Sequence, residues 1–146
     1  MEDLTLEDLR QYQRLKQSIK TLEAEIMAVY VESPAPKTNT PGRSSVRTPA
    51  DPTATKARKA IQLRDKLEQK LADLRRQTER IEQYTLQIED VQIGAMIRAH
   101  YIRGLTWEQT TLQLYGYPDR FYCHKRVRRY FEKMEEQQND HEEADA

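Results

Sequence analysis

Apolar residues recur along this chain in steps of three and four over two long stretches, and then crowd into a shorter third one. Between Thr5 and Val31, the residues Tyr12, Leu15, Ile19, Leu22, Ile26 and Val29 alternate at these spacings, which predicts a helix with a coiled-coil-like seam. Thr5 is placed to cap it, and Asp8 puts negative charge into its first turn. From Lys56 to Ile88 the series Leu67, Leu71, Leu74, Thr78, Ile81, Thr85 and Ile88 predicts a second helix, on the order of 50 Å long at about 1.5 Å per residue. Thr78 and Thr85 interrupt its apolar seam, so modest stability and a specific partner helix are expected. An antiparallel hairpin with the first helix and an intermolecular coiled coil both satisfy this pattern.

Residues 32–55 break the periodicity. They hold five of the six prolines and no recurring apolar position, which predicts a disordered Pro-rich linker, with residues 56–89 forming the long coiled-coil-like helix beyond it. Cations in and beside this stretch (Lys37, Arg43, Arg47, Lys56, Arg58 and Lys59) suit a soluble tether, with contact to a polyanion as the sharper alternative.

The third stretch, residues 90–135, reads as three short helices. Ile93, Ile97 and Tyr101 form the apolar stripe of the first, which ends at Arg103-Gly104. Thr106 caps the next, with Gln109 three residues on to complete a capping box, and Gly116 is placed to end it in a left-handed conformation. Trp107 opens that helix as the expected core anchor of a small domain. The last helix, from about Asp119 or Arg120 to Glu135, places Cys123, Val127, Tyr130, Phe131 and Met134 on one face for packing. Its opposite face is then left with Tyr122, Lys125, Arg126, Arg128, Arg129 and Lys133. The whole is therefore expected to be all-α: a long helical hairpin or coiled coil plus a C-terminal three-helix helix-turn-helix unit. Residues 136–146 are expected to fray as an acidic tail.

Charge sharpens this picture. The chain is formally neutral, yet Ala95 to Met134 holds eight Lys and Arg against three acids, a local balance of +5. The segment from Glu135 to Ala146 has six acids and no Lys or Arg. Neutrality thus conceals a basic unit beside an acidic end. With 33% charged residues and a mean hydropathy of −0.95, the chain suits long helices with narrow seams rather than one large core. A lone cysteine, Cys123, excludes an intrachain disulfide framework and fits a reducing compartment. The N-terminus does not resemble a signal peptide, and no apolar run approaches bilayer length, so a cytoplasmic protein without a membrane partner is expected.

Little in the sequence points to catalysis. His100, His124 and His141 lack zinc-site spacing with Cys123, and no Gly-rich phosphate loop or nucleophile–base arrangement is evident. No enzyme activity, metal or cofactor is expected. A basic helix on a small apolar support suits double-stranded DNA instead, with Arg126 and Arg129 as base readers, Lys125, Arg128 and Lys133 on phosphates, and Tyr122 among the contacts.

The run Tyr101-Ile102-Arg103-Gly104-Leu105-Thr106-Trp107, the glycine at 116, and the block Lys125-Arg126-Val127-Arg128-Arg129-Tyr130 resemble small phage-encoded regulators of the RinA/ArpU type. The C-terminal helix-turn-helix of that family is similar to sigma factor region four. The resemblance implies transcriptional control of phage or prophage late genes in the bacterial host cytoplasm at the nucleoid. It leaves RNA polymerase and a homodimer through the long helices open as further partners. Two other functions fit the layout: a packaging adaptor of the small-terminase type, and a coiled-coil adaptor that binds no DNA.

Overall fold

The computed structural model describes residues 3–31 and 52–144, so the stretch 32–51 expected as a linker lies outside the described residues. It is all-α. Among the described residues five helices follow in order: α1 (Leu6–Val31), α2 (Pro52–Leu86), α3 (Val91–Ile97), α4 (Trp107–Tyr115) and α5 (Tyr122–Ala144), with a π-helical turn at Arg98–Ile102 continuing α3. Among the described residues no helix is long and apolar enough to cross a membrane.

Two of these bounds differ from the sequence expectation. Helix α2 begins at Pro52, taking residues 52–55 from the expected linker. Proline is suited to the first turn, where the missing N–H has no intrahelical acceptor to lose. Helix α5 runs on to Ala144 instead of ending near Glu135. Its polar end is rich in Glu and Gln, which favour helix without supplying an apolar face.

The chain divides into two compact units, Leu15–Leu74 and the combination of Met1–Arg14 with Arg75–Ala146. In the first, α1 and α2 pair along their seams. Ile19, Leu22 and Ala60 are buried, with Leu15, Ile26, Val29, Leu63, Leu67 and Leu71 half-buried. The Arg64 guanidinium donates to the Tyr30 hydroxyl and lies 5.3 Å from the centre of its ring.

In the second unit, α1 begins with two locking devices. Thr5 Oγ1 accepts from the Asp8 amide at 3.2 Å while Asp8 Oδ2 accepts from the Thr5 amide at 3.0 Å, a capping box closed by aspartate. Leu4 and Leu9 flank it, both buried, as a hydrophobic staple. One turn on, the buried Tyr12 meets Thr78 of α2 with their hydroxyls 2.6 Å apart. Asp8 and Arg80 pair at 3.4 Å. With Asp8 and Tyr12 opposite Arg80 and Thr78, the helices run antiparallel here.

The same unit carries α3, α4 and α5. Ile93, Ile97 and Tyr101 are buried as their spacing required, as are Cys123, Val127 and Phe131, while Tyr130 and Met134 are half-buried. Asp90 caps α3, its Oδ1 accepting from the Gln92 amide. Thr106 and Gln109 form the expected capping box, and Gly116 ends α4 with φ 84°. Between α4 and α5 the buried Thr111 hydroxyl is 2.6 Å from the Asp119 carbonyl and 3.2 Å from Cys123 Sγ, fixing the turn to both helices.

What joins α2 to α3 is a close backbone approach. A Cβ added to Gly94 would stand 2.6 Å from the Thr85 carbonyl oxygen, well inside contact distance. Thr85 is buried, its hydroxyl accepting from Arg98 Nη1 at 3.0 Å and donating to the Glu82 carbonyl. The threonines that thin the apolar seam of α2 are therefore its polar anchors, Thr78 to α1 and Thr85 to Arg98. In an exposed helix Gly94→Ala would gain about 1 kcal/mol from helix propensity. Here overpacking should outweigh that gain and cost about 1–3 kcal/mol. Urea unfolding monitored by circular dichroism checks the sign, and an unchanged or raised midpoint would contradict the close approach.

Candidate nucleic-acid interface

At about 100° per residue, the buried positions Cys123, Val127 and Phe131 define one side of α5, and Lys125 lies nearly opposite. Lys125, Arg128, Arg129 and Lys133 are all exposed. Arg128 Nε pairs with Glu132 across one turn at 3.3 Å, both side chains remaining largely in solvent. Such a pair is worth about 0.3–0.5 kcal/mol and is easily exchanged for another anion. Neither Lys125, Arg129 nor Lys133 takes part in an ion pair among the described residues. These three cations and Arg128 make one basic surface.

Arg126 does not belong to it. Its place on α5 suggests a base reader, but its guanidinium is built into the helical support. Nη1 donates to the Tyr115 hydroxyl at 2.7 Å and to Gln92 Oε1 at 3.0 Å, while Nη2 donates to Asp90 Oδ2 at 3.0 Å. The Tyr115 hydroxyl in turn donates to Gln92 Oε1 at 2.7 Å. Residue 126 lies about midway around the helix between outward Lys125 and buried Val127, so its long side chain runs along the surface onto α3 and α4. Asp90 serves twice, one oxygen capping α3 and the other holding α5.

Tyr122 divides its roles. Its ring stands edge-on to Tyr115 at 5.2 Å, and the Arg126 guanidinium lies 5.7 Å from its centre. It is nevertheless 38% exposed, so the ring is held while part of it faces solvent. Asp119 Oδ1 accepts from the Phe121 and Tyr122 amides at 2.8 and 3.1 Å, covering the start of α5. Of the helix itself, the amide so covered is that of its first residue, Tyr122.

Trp107 does anchor the start of α4, though not from full burial. It is half-buried and sandwiched between two imidazoles, His100 at 3.7 Å and His124 at 5.1 Å, with Tyr101 edge-on at 5.9 Å. His100 Nδ1 lies 2.7 Å from the Leu105 carbonyl, which can only accept, so that nitrogen carries the proton. Nε2 then accepts from the Gln13 amide at 3.3 Å. This stack fastens the start of α4 to both the π-helical turn and α5. Capping and periodicity located Trp107 on α4, but neither could locate the two histidines, seven residues before and seventeen after it.

The acidic end is also placed differently from a loose tail. Glu135, Glu136 and Asp140 prolong α5 along its own axis, with Asp140 roughly 16 Å beyond Arg129 at about 1.5 Å per residue. While the helix is intact these acids cannot fold back onto Lys125 or Arg129. Gln138 instead contacts Asp3 near the start of the chain. Among the described residues no group of three or more His, Cys, Asp or Glu could hold a metal ion.

Comparison with known proteins finds no matching family, no matching curated protein and no matching solved structure.

The internal position of Arg126 separates stability from surface chemistry. Arg126→Ala strips Tyr115, Gln92 and Asp90 of their shared donor and should cost about 1–3 kcal/mol, whereas Arg129→Ala should stay within about 0.5 kcal/mol. Thermal melts of both variants followed by circular dichroism compare the two, and equal melting temperatures would refute the distinction.

Proposed function

We propose that this protein is a sequence-specific binder of double-stranded DNA that regulates transcription, with the basic face of α5 lying in a major groove. The observation that carries this reading is the outward row Lys125, Arg129 and Lys133, cationic and without ion pairs among the described residues, on a helix whose other side is fixed to α3 and α4. A duplex places its phosphates along both walls of the groove, so a rigid helix with cations spread over more than two turns meets several at once. Arg129 is the guanine-reading candidate, since a free guanidinium matches the two acceptors on that base. Lys125, Arg128 and Lys133 take phosphates, with Glu132 giving up Arg128 as the anion arrives. Arg126 serves by positioning. The RinA/ArpU-like residues around Gly104, Trp107 and Gly116 favour phage or prophage genes as the setting.

Mobility shift against random-sequence duplex over a range of salt tests this. The logarithm of the association constant should fall linearly with that of salt, with a slope of about −0.9 per phosphate contacted. Replacing Lys125 and Lys133 together by alanine should flatten that slope by about 2 while leaving the melting temperature unchanged. No duplex binding at low salt would refute the reading, and binding with an unaltered slope would remove these lysines from it.

A further inference from the structure

Phe121 stands mostly in solvent at the start of α5. It is 59% exposed, adjoins the first residue of α5, and its carbonyl accepts from the Lys125 amide at 2.9 Å, which puts it one turn before that lysine. A single exposed apolar residue is ordinary, so its position decides its meaning. At about 100° per residue Phe121 and Lys125 lie about 40° apart on the helix, within the same outward row as Arg129.

Charge runs unevenly along that row. The cations occupy Lys125 to Lys133, and Glu132, Glu135, Glu136 and Asp140 gather at and beyond their end. A polyanion attracts the first half of α5 and repels the second, so a bound duplex meets the leading turn. At that turn the exposed Arg120 and Lys125 stand on either side of Phe121 as cations for phosphate, while Asp119 occupies the amides of Phe121 and Tyr122. The phenyl ring between them gains nothing from phosphate oxygens. In the major groove the apolar feature on a base edge is the 5-methyl group of thymine. Tyr122, held edge-on by Tyr115 and flanked by Arg126, gives the leading turn a fixed floor.

Building on the duplex-binding reading above, we propose that Phe121 is a specificity-determining residue that packs on a thymine 5-methyl group, so that bound sites carry thymine where the leading turn of α5 faces the base pairs.

The test begins by enriching duplexes from a random-sequence pool with the wild-type protein. The enriched duplexes are then resynthesised with uracil in place of thymine, which removes the methyl group and keeps the base pairing. Wild-type affinity should fall about fourfold for each thymine contacted, the effect of one apolar carbon leaving contact. Phe121→Ala should bind the thymine and uracil forms equally and should melt at the wild-type temperature, because the ring is exposed. Phe121→Leu should regain part of the preference. Equal wild-type binding to both forms would overturn the proposal, as would a thymine preference that survives in Phe121→Ala, since that would arise from duplex shape. If no sequence is enriched although duplex binds, Phe121 reads nothing and this inference alone falls. If no duplex binds, the parent reading falls with it.

Discussion

The approach of α3 to the end of α2 sets the geometry on which the three short helices depend. Only hydrogen at Gly94 lets the Thr85 carbonyl come so near, and that nearness brings Arg98 within reach of the Thr85 hydroxyl. The buried Thr85 hydroxyl is thereby satisfied twice, donating to the Glu82 carbonyl and accepting from Arg98, where an unpartnered buried hydroxyl would cost about 1–3 kcal/mol. From this junction Ile93 and Ile97 face the core, and Asp90 stands where it can cap α3 and hold Arg126. A larger residue at 94 would shift every one of these partners, because the neighbouring atom is backbone and cannot rotate away.

The polar contacts that fasten α5 follow a second constraint. A helix that meets a ligand with one face must resist turning about its own axis, and apolar packing resists that weakly because it lacks direction. Arg126 supplies direction through three acceptors on two other helices, and the His100–Trp107–His124 stack supplies it through ring planes. Thr111 adds a third hold by bonding the turn itself. The cations facing outward are thereby fixed in register, which is what reading bases requires of a side chain beyond mere charge.

How far the sequence revealed this architecture depended on the range of each signal. Features set within one turn were legible: the Thr106–Gln109 capping box, Gly116 after α4, and the buried stripes of Ile93 and Ile97 and of Cys123 and Val127. Features set by chain crossings were not. Arg126 pairs with residues 36, 34 and 11 positions away, and a helical wheel assigns an intermediate angle to solvent by default. Thr78 and Thr85 looked like defects because hydropathy scores a hydroxyl as a loss, although each is matched by a partner on another helix. The end of α5 was misjudged for a related reason. Apolar periodicity reports burial, whereas helix formation there follows from backbone propensity and continuity with a packed helix.

Continuity of α5 also changes what the acidic residues can do. On a loose tail they would compete with DNA for the cations by folding back onto them. On a continuous helix Glu135 and Glu136 stand roughly 9–10 Å and Asp140 roughly 16 Å along the axis from Arg129, outside the Debye length of about 8 Å at physiological salt. Their field then acts less on the cations than on the orientation of any duplex, disfavouring arrangements in which α5 lies along the groove over its full length. A helix basic at one end and acidic at the other meets a polyanion end-first. That polarity is why an exposed phenylalanine at the leading end carries more meaning than the same residue would elsewhere on the surface.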